Sequence, residues 1–239
     1  MKSYRTAGFW WTIMQAWLAA LATVRRLPRL VVSVVVSFVL VMVIAGSLNT
    51  LSVLDSIEIG LGLRVLRSIA LSAVIAPLFV GVTRLFLLGE GDDRYVWSWR
   101  PEVPAVFGWT VLSDLLSSTG QLVFPVARII YTSPSTAQIT SSIAGLAGGC
   151  LAIRLAFLAP SAALDPSATT LARSWEISRG RFWYLSTSCL LASAPMLILY
   201  LLAVFERGSA IAAHVSIAIA SFVGICMNVL LFDRFRGRN

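Results

Sequence analysis

Charged residues are scarce in this sequence. Only 13% of its 239 residues are Asp, Glu, Lys or Arg, whereas a soluble globular domain contains about 25%. Long runs of Leu, Val, Ala and Ile take their place, and 58% of the chain is hydrophobic. A membrane-spanning helix needs roughly 20 apolar residues, and several runs reach that length. No segment is polar and long enough to form a separate soluble domain, so residues 1–239 are predicted to form a single transmembrane domain.

Histidine and cysteine are also rare, which argues against several kinds of site. The one histidine, His214, cannot by itself supply a histidine-ligated metal or haem site. Cys150, Cys189 and Cys226 lie in apolar runs, and their spacing matches no metal or redox motif. No H-E-x-x-H, G-x-S-x-G or P-loop pattern is present. We therefore expect no catalytic residue, no metal, no cofactor and no enzymatic activity.

The apolar runs predict an all-α, polytopic transmembrane bundle of about six spans with short interfacial helices. Some runs are rich in β-branched residues, but a lone strand in lipid would leave its backbone groups unpaired, so helix is the expected conformation. The predicted spans are residues 30–48, 66–88, 103–125, 140–162, 182–204 and 209–232.

Two further segments are predicted to be interfacial helices on the cytoplasmic face. Residues 7–24 are apolar and tryptophan-rich and are followed by Arg25 and Arg26, which favours a helix lying on the membrane over the alternative of a seventh span. Residues 166–179 form the second predicted helix. There Asp165 is the expected N-cap and Gly180 the expected C-terminal stop. Trp175, Arg179 and these two cap residues form a candidate interfacial motif.

The distribution of basic residues predicts the orientation, with both termini in the cytoplasm. With six spans, the inside segments contain Lys2, Arg5, Arg25, Arg26, Arg29, Arg94, Arg100, Arg173, Arg179, Arg181, Arg234, Arg236 and Arg238. The outside segments contain Arg64, Arg67, Arg128 and Arg207. This excess follows the positive-inside rule. The net charge of +8 is attributed first to this orientation signal, with recognition of anionic lipid headgroups on the cytoplasmic face as the less favoured alternative. Membrane lipids are the expected partners, and no nucleic-acid partner is expected.

Arg84, Asp114 and Arg154 fall within predicted spans and form a candidate intramembrane polar cluster. Charged residues are costly in hydrocarbon and usually find a partner there. Asp114 and Arg154 are predicted to differ by roughly 5 Å in depth at about 1.5 Å per residue, so they are expected to pair. Arg84, near a span end, is expected to reach the interface instead. The pair could serve a polar pathway or act as a structural clamp, and the clamp is the favoured interpretation.

Small residues open the fourth predicted span. Gly145 and Gly149 form a G-x-x-x-G pair, which is typical of closely packed membrane helices. We therefore predict that these two glycines contact another helix.

Residues 152–183 resemble the membrane domain of bacterial glycerophosphoryl diester phosphodiesterases and YciC-like inner-membrane proteins. The resemblance rests on Arg154, Pro160, Asp165, Ser174, Trp175, Arg179 and Gly180, and residues 76–92 add to it. It implies a helical membrane domain of the bacterial inner membrane. It does not imply phosphodiesterase activity, because that activity belongs to a soluble catalytic domain that this chain lacks.

Two functions remain as expectations. The first is a non-catalytic membrane protein, an accessory subunit or envelope-homeostasis factor that acts through lipids, a membrane-protein partner or a second copy of itself. The alternative is a small transporter or lipid-handling protein that uses Arg84, Asp114 and Arg154.

Overall fold

The computed structural model describes residues 8–52, 57–90, 102–131, 133–205 and 209–236, and these residues are all-α. The helices in chain order are α1 (Phe9–Arg26), α2 (Pro28–Ser52), α3 (Ile57–Leu87), α4 (Glu102–Ser117), α5 (Thr119–Ile130), α6 (Pro134–Arg154), α7 (Leu158–Leu164), α8 (Leu171–Ser178), α9 (Phe182–Phe205) and α10 (Ala210–Arg236).

Five stretches of the described chain are helical, long and apolar enough to cross a membrane. They are Pro28–Leu48, Gly60–Leu87, Pro134–Leu164, Phe182–Phe205 and Ala210–Arg236. The chain is thus a polytopic helical bundle, as the sequence predicts. The third predicted span, residues 103–125, differs, because the helix is interrupted at Ser118 and neither half reaches the length of a span.

The helix α10 forms the centre of the bundle. It packs against α9, α1, α2 and α3, and Met227, Val229 and Leu231 are completely buried. In contrast, few residues of α2 and α9 are buried, and their apolar side chains are mostly exposed or only partly buried, with Val36 61% exposed. In water such faces would be unfavourable, and in a bilayer they are the lipid-facing surface.

The helix α1 presents two different faces. Thr12, Ala16, Ala19, Ala20 and Thr23 form a buried stripe with helical spacing. The opposite face carries exposed apolar side chains, and Trp10 is 70% exposed. This helix is not among those apolar enough to span, and a flat orientation on the membrane stays a prediction.

The hairpin of α5 and α6 is packed through glycines, but only one of the two predicted glycines takes part. A Cβ atom on Gly145 would lie 3.4 Å from the Cα of Gly120, so the two backbones touch. A Cβ atom on Gly149 would meet nothing within 4 Å. Gly148 lies in contact instead, since a Cβ atom there would be 2.1 Å from the carbonyl oxygen of Leu116. The G-x-x-x-G prediction is therefore wrong for Gly149.

Candidate functional site

One end of the bundle carries a layer in which arginines stack on aromatic rings. We call it the arginine–aromatic layer, and it consists of Arg154, Trp175, Arg181, Phe182, Tyr184, Arg234 and Phe235. Its members come from the C-termini of α6 and α10, the N-terminus of α9 and the short helix α8. Helices that run in opposite directions therefore bring their cationic ends together on one side of the membrane.

Arg154 is held where α6 ends. Its Nη1 donates to the carbonyl oxygen of Ser178 at 3.0 Å. Its guanidinium carbon lies 5.2 Å from the ring centre of Trp175 and 5.6 Å from that of Phe182. Both distances are within the range of cation–π attraction, about 6 Å. Trp175 remains 45% exposed, so this stack borders the surface of the bundle.

Arg181 and Arg234 extend the layer across α9 and α10. The Arg181 guanidinium lies 4.5 Å from the ring centre of Phe235. Arg234 Nη1 donates to the Tyr184 hydroxyl at 2.8 Å and to Thr12 Oγ1 at 2.9 Å. These contacts tie α1 to the core of the bundle at the level of the layer.

A gap in the helix between α6 and α7 lies directly beside the layer. Residues 155–157 interrupt the fourth predicted span, residues 140–162, and leave backbone carbonyls without a helical donor, that of Ala156 because Pro160 has no N–H. Ser174 Oγ and Ser178 Oγ donate to the Arg154 carbonyl oxygen at 3.2 and 3.1 Å. Asn228 Nδ2 donates to the Ala156 carbonyl oxygen at 2.9 Å. Side chains of α8 and α10 thus stabilise a break that lipid could not.

The serines of α8 give a first testable prediction. Because either hydroxyl can serve the Arg154 carbonyl, Ser174→Ala and Ser178→Ala should each lower the free energy of unfolding only slightly. The double variant should lose about 1–3 kcal/mol, the cost of a buried polar group without a partner, and more than the sum of the single losses. Unfolding in mixed micelles, followed by tryptophan fluorescence, measures this. Ser186→Ala is the control, since its hydroxyl bonds only within α9, and strict additivity would contradict the shared role.

The predicted surface helix 166–179 is shorter than expected. It begins at Leu171, and its N-cap is Thr170, whose side chain accepts from the Arg173 backbone N–H. Asp165 was expected to be this cap, but its Oδ1 accepts from the backbone N–H groups of Ser167 and Ala168 at 2.9 and 3.3 Å and closes a separate turn. The Ser167 hydroxyl, together with these backbone donors, lowers the pKa of the Asp165 carboxyl because each hydrogen bond favours its ionised form.

The predicted end of this helix is confirmed. Gly180 has a φ of 71°, a left-handed conformation that favours glycine, and it lies next to the C-cap residue Arg179. Of the expected interfacial motif, Trp175 is the residue that contacts the layer directly.

The three residues of the predicted polar cluster are not brought together. Arg84 Nε donates to Glu90 Oε2 at 2.9 Å, and its Nη1 donates to Glu102 Oε1 at 2.9 Å. Arg154 belongs to the arginine–aromatic layer. Asp114 lies half-buried on α4, and no hydrogen bond or ion pair joins its carboxylate to any part of the chain that the structure describes. The expected Asp114–Arg154 pair is thus not formed.

Sequence reasoning missed Arg181, Tyr184 and Arg234 as site residues. From the sequence, Arg181 and Arg234 are only markers of orientation. The available signal was local, because each arginine is followed by an aromatic residue, in Arg181-Phe182 and Arg234-Phe235. Lys2, Arg5, Arg94, Arg100, Arg207 and Arg238 also entered the orientation count, and they lie outside the described residues.

A cavity of about 300 Å³ lies next to the layer, between α1 and the C-terminal ends of α3 and α10. We call it the α1 cavity. Its apolar walls include Trp11, Leu18 and Phe86, and its polar groups include Gln15 and Arg234. The cavity thus combines apolar walls with a polar end, where the Arg234 guanidinium and the Asp233 carboxylate both lie.

Protein-family models, curated proteins and solved structures contain no match to this chain. Membership of the phosphodiesterase-associated or YciC-like family therefore stays a prediction.

Proposed function

We propose that this chain is a non-catalytic protein of the bacterial inner membrane that acts by binding anionic lipid headgroups at its cytoplasmic end, as an accessory or envelope-homeostasis factor. The observation that carries this proposal is the arginine–aromatic layer. Arg154, Arg181 and Arg234 are gathered at one level of the bundle and oriented by aromatic rings. The inner-leaflet surface is negatively charged, which attracts such a layer.

The exposed tryptophans support an interfacial position for this end. Trp10, Trp11, Trp175 and Trp183 are 70%, 48%, 45% and 79% exposed. Tryptophan concentrates at the membrane–water interface because its ring is apolar and its N–H can hydrogen-bond. These residues belong to α1, α8 and α9, which also contribute to the layer or the α1 cavity.

The geometry favours lipid binding over transport. A transport pathway needs polar groups that line one route near the middle of the membrane, whereas Arg84 and Arg154 make separate contacts and neither is paired with Asp114. A membrane-protein partner or a second copy stays a prediction, and the test below detects either.

The lipid proposal predicts selective retention of anionic phospholipid. The full chain is purified in mild detergent and the co-purifying molecules are measured by native mass spectrometry. We expect the wild type to retain anionic phospholipid, and we expect the Arg181→Gln/Arg234→Gln variant to bind it about tenfold or more weakly, which corresponds to about 1.4 kcal/mol. Arg128→Gln is the matched control, because Arg128 is exposed on α5 and belongs to neither the layer nor the α1 cavity.

The outcomes that oppose the lipid proposal are specific. Equal retention of anionic phospholipid by the wild type and the layer variant would mean that Arg181 and Arg234 do not bind the lipid. Recovery of a stoichiometric protein partner with no lipid would contradict lipid binding and indicate that the chain acts through that partner.

A further inference from the structure

A second cavity, of about 350 Å³, lies at the opposite end of the bundle. It is lined by Met42, Leu63, Arg64, Arg67, Gln121 and His214, which come from α2, α3, α5 and α10. His214 and Arg234 are 20 positions apart on α10, which corresponds to roughly 30 Å along the helix at about 1.5 Å per residue. This cavity is thus well separated from the arginine–aromatic layer.

The cavity concentrates positive charge inside a membrane-spanning segment. Arg64 and Arg67 lie within the apolar stretch Gly60–Leu87, one helical turn apart and both part-buried. The ion pairs found in the described part of the chain involve Arg84 and Arg236, and neither Arg64 nor Arg67 forms one. Two neighbouring cations near the end of a membrane-spanning segment favour an accompanying anion.

The hydrogen-bonding groups of the cavity are only partly used. Arg64 Nη1 donates to the Gln121 carbonyl oxygen at 2.9 Å. Arg67 Nε and His214 Nδ1 are buried, and no described residue pairs with either atom. Buried polar atoms are nearly always paired. Arg64, Arg67 and His214 all line this cavity, so two guanidinium groups and an imidazole with unused hydrogen-bonding capacity are gathered around one space.

We infer that this cavity, the Arg64–Arg67 pocket, binds a phosphate group. A guanidinium presents its N–H donors as a planar fork, and this fork matches phosphate oxygens. Two such forks supply the charge and the donors that one phosphate group accepts. The volume lies within the range of small-molecule sites, about 300–1,000 Å³, and Met42 and Leu63 offer apolar contact to a carbon-bearing substituent.

The phosphate has two candidate sources, a phospholipid headgroup and a soluble phosphate. Both share the chemistry that the pocket recognises, and they differ in whether the ligand carries acyl chains. The inference does not rest on lipid binding at the arginine–aromatic layer, because the two sites share no residue.

Thermal unfolding of the full chain in maltoside micelles tests this inference. The probes are inorganic phosphate, dihexanoylphosphatidylglycerol and, as a phosphate-free control, dihexanoylglycerol, at matched ionic strength. Ligand binding to the folded state raises the melting temperature. We expect at least one phosphate probe to raise the Tm of the wild type, while dihexanoylglycerol leaves it unchanged. A response to inorganic phosphate assigns a soluble ligand, and a response to the short-chain phospholipid alone assigns a lipid.

Variants decide whether the pocket is responsible. Arg64→Gln and Arg67→Gln should each weaken the apparent affinity about tenfold or more, and Arg128→Gln should not change it. Arg67→Lys keeps the charge but loses the fork, so its affinity should fall between those of the wild type and Arg67→Gln. If the glutamine variants fail to fold, the apparent affinity of Arg67→Lys is compared with that of the wild type instead, and a lower affinity is expected. No Tm response in the wild type, or a response that the pocket variants retain in full, would overturn the inference.

Discussion

Replacing Gly148 by alanine should lower the free energy of unfolding by about 1–3 kcal/mol, the range of overpacked sites. A Cβ atom at this position would lie 2.1 Å from the Leu116 carbonyl oxygen and 2.6 Å from Thr119 Oγ1. The first of these atoms belongs to the backbone, so α6 must move away from the α4–α5 junction. The movement would also disturb Ser141 Oγ, which donates to the Gly120 carbonyl oxygen at 2.7 Å.

The neighbouring glycine is a matched control for this prediction. Gly149 lies on the same helix with open space around its Cα, and alanine is the better helix former by about 1 kcal/mol. Gly149→Ala should therefore be neutral or slightly stabilising. Both variants can be compared by unfolding in mixed micelles, followed by tryptophan fluorescence. Equal stability of the two variants would contradict the packing of α6 against the α4–α5 junction.

Replacing Arg84 by glutamine should cost about 2–3 kcal/mol. Arg84 joins the end of α3 to the start of α4 through Glu102, and the two side chains are only 19% and 16% exposed. Breaking a buried ion pair from one side costs about 3–5 kcal/mol because a charge remains without its partner, and partial exposure reduces that cost. Glu102→Gln should be destabilising for the same reason.

Two comparisons isolate the contribution of this pair. Glu90 also contacts Arg84 but is 55% exposed, so Glu90→Gln should change stability by no more than about 1 kcal/mol. In a double-mutant cycle, Arg84→Gln and Glu102→Gln should be strongly non-additive, since the second substitution removes the charge that the first one left unpaired. Additive losses would mean that the contact does not hold α3 and α4 together.

The sequence predicts the long helices because hydropathy determines them. Residues 182–204 and 209–232 were predicted as spans, and α9 and α10 extend over Phe182–Phe205 and Ala210–Arg236. The backbone must form its hydrogen bonds within each segment in lipid, so length and apolarity suffice for this part of the fold. Hydropathy predicts the ends of helices less well. The surface helix, for example, begins at Leu171 and not at the predicted residue 166.

Interruptions within spans escape a hydropathy argument. The break at Ser118 lies in the short polar run 117–121 inside a segment that is apolar on average, and the gap at 155–157 has mainly apolar neighbours. What permits the gap is tertiary, because Asn228 and the serines of α8 supply the missing donors. A sequence window around residue 155 contains none of these partners.

The partners of charged residues are equally hard to infer from depth alone. Asp114 and Arg154 were expected to pair because their depths were similar. Depth does not fix the side of the helix that a residue occupies, nor which aromatic residues lie nearby. In the structure, Trp175 and Phe182 surround the Arg154 guanidinium. The same limit explains why Gly149 was wrongly predicted to contact another helix. Gly148 and Gly149 are neighbours in the sequence and differ in the side of α6 that they occupy, and only Gly148 faces the α4–α5 junction.

The central claim is that the arginine–aromatic layer faces the cytoplasm, and cysteine labelling tests it most directly. Cys150, Cys189 and Cys226 are replaced, and single cysteines are introduced at Glu176 on α8 and at Ser135 at the start of α6, both exposed positions on opposite sides of the α6–α7 stretch. Intact spheroplasts are treated with a membrane-impermeant maleimide. The account predicts that the cysteine at position 135 is labelled and that the one at 176 reacts only after lysis. Labelling of position 176 in intact spheroplasts, with position 135 protected, would contradict it.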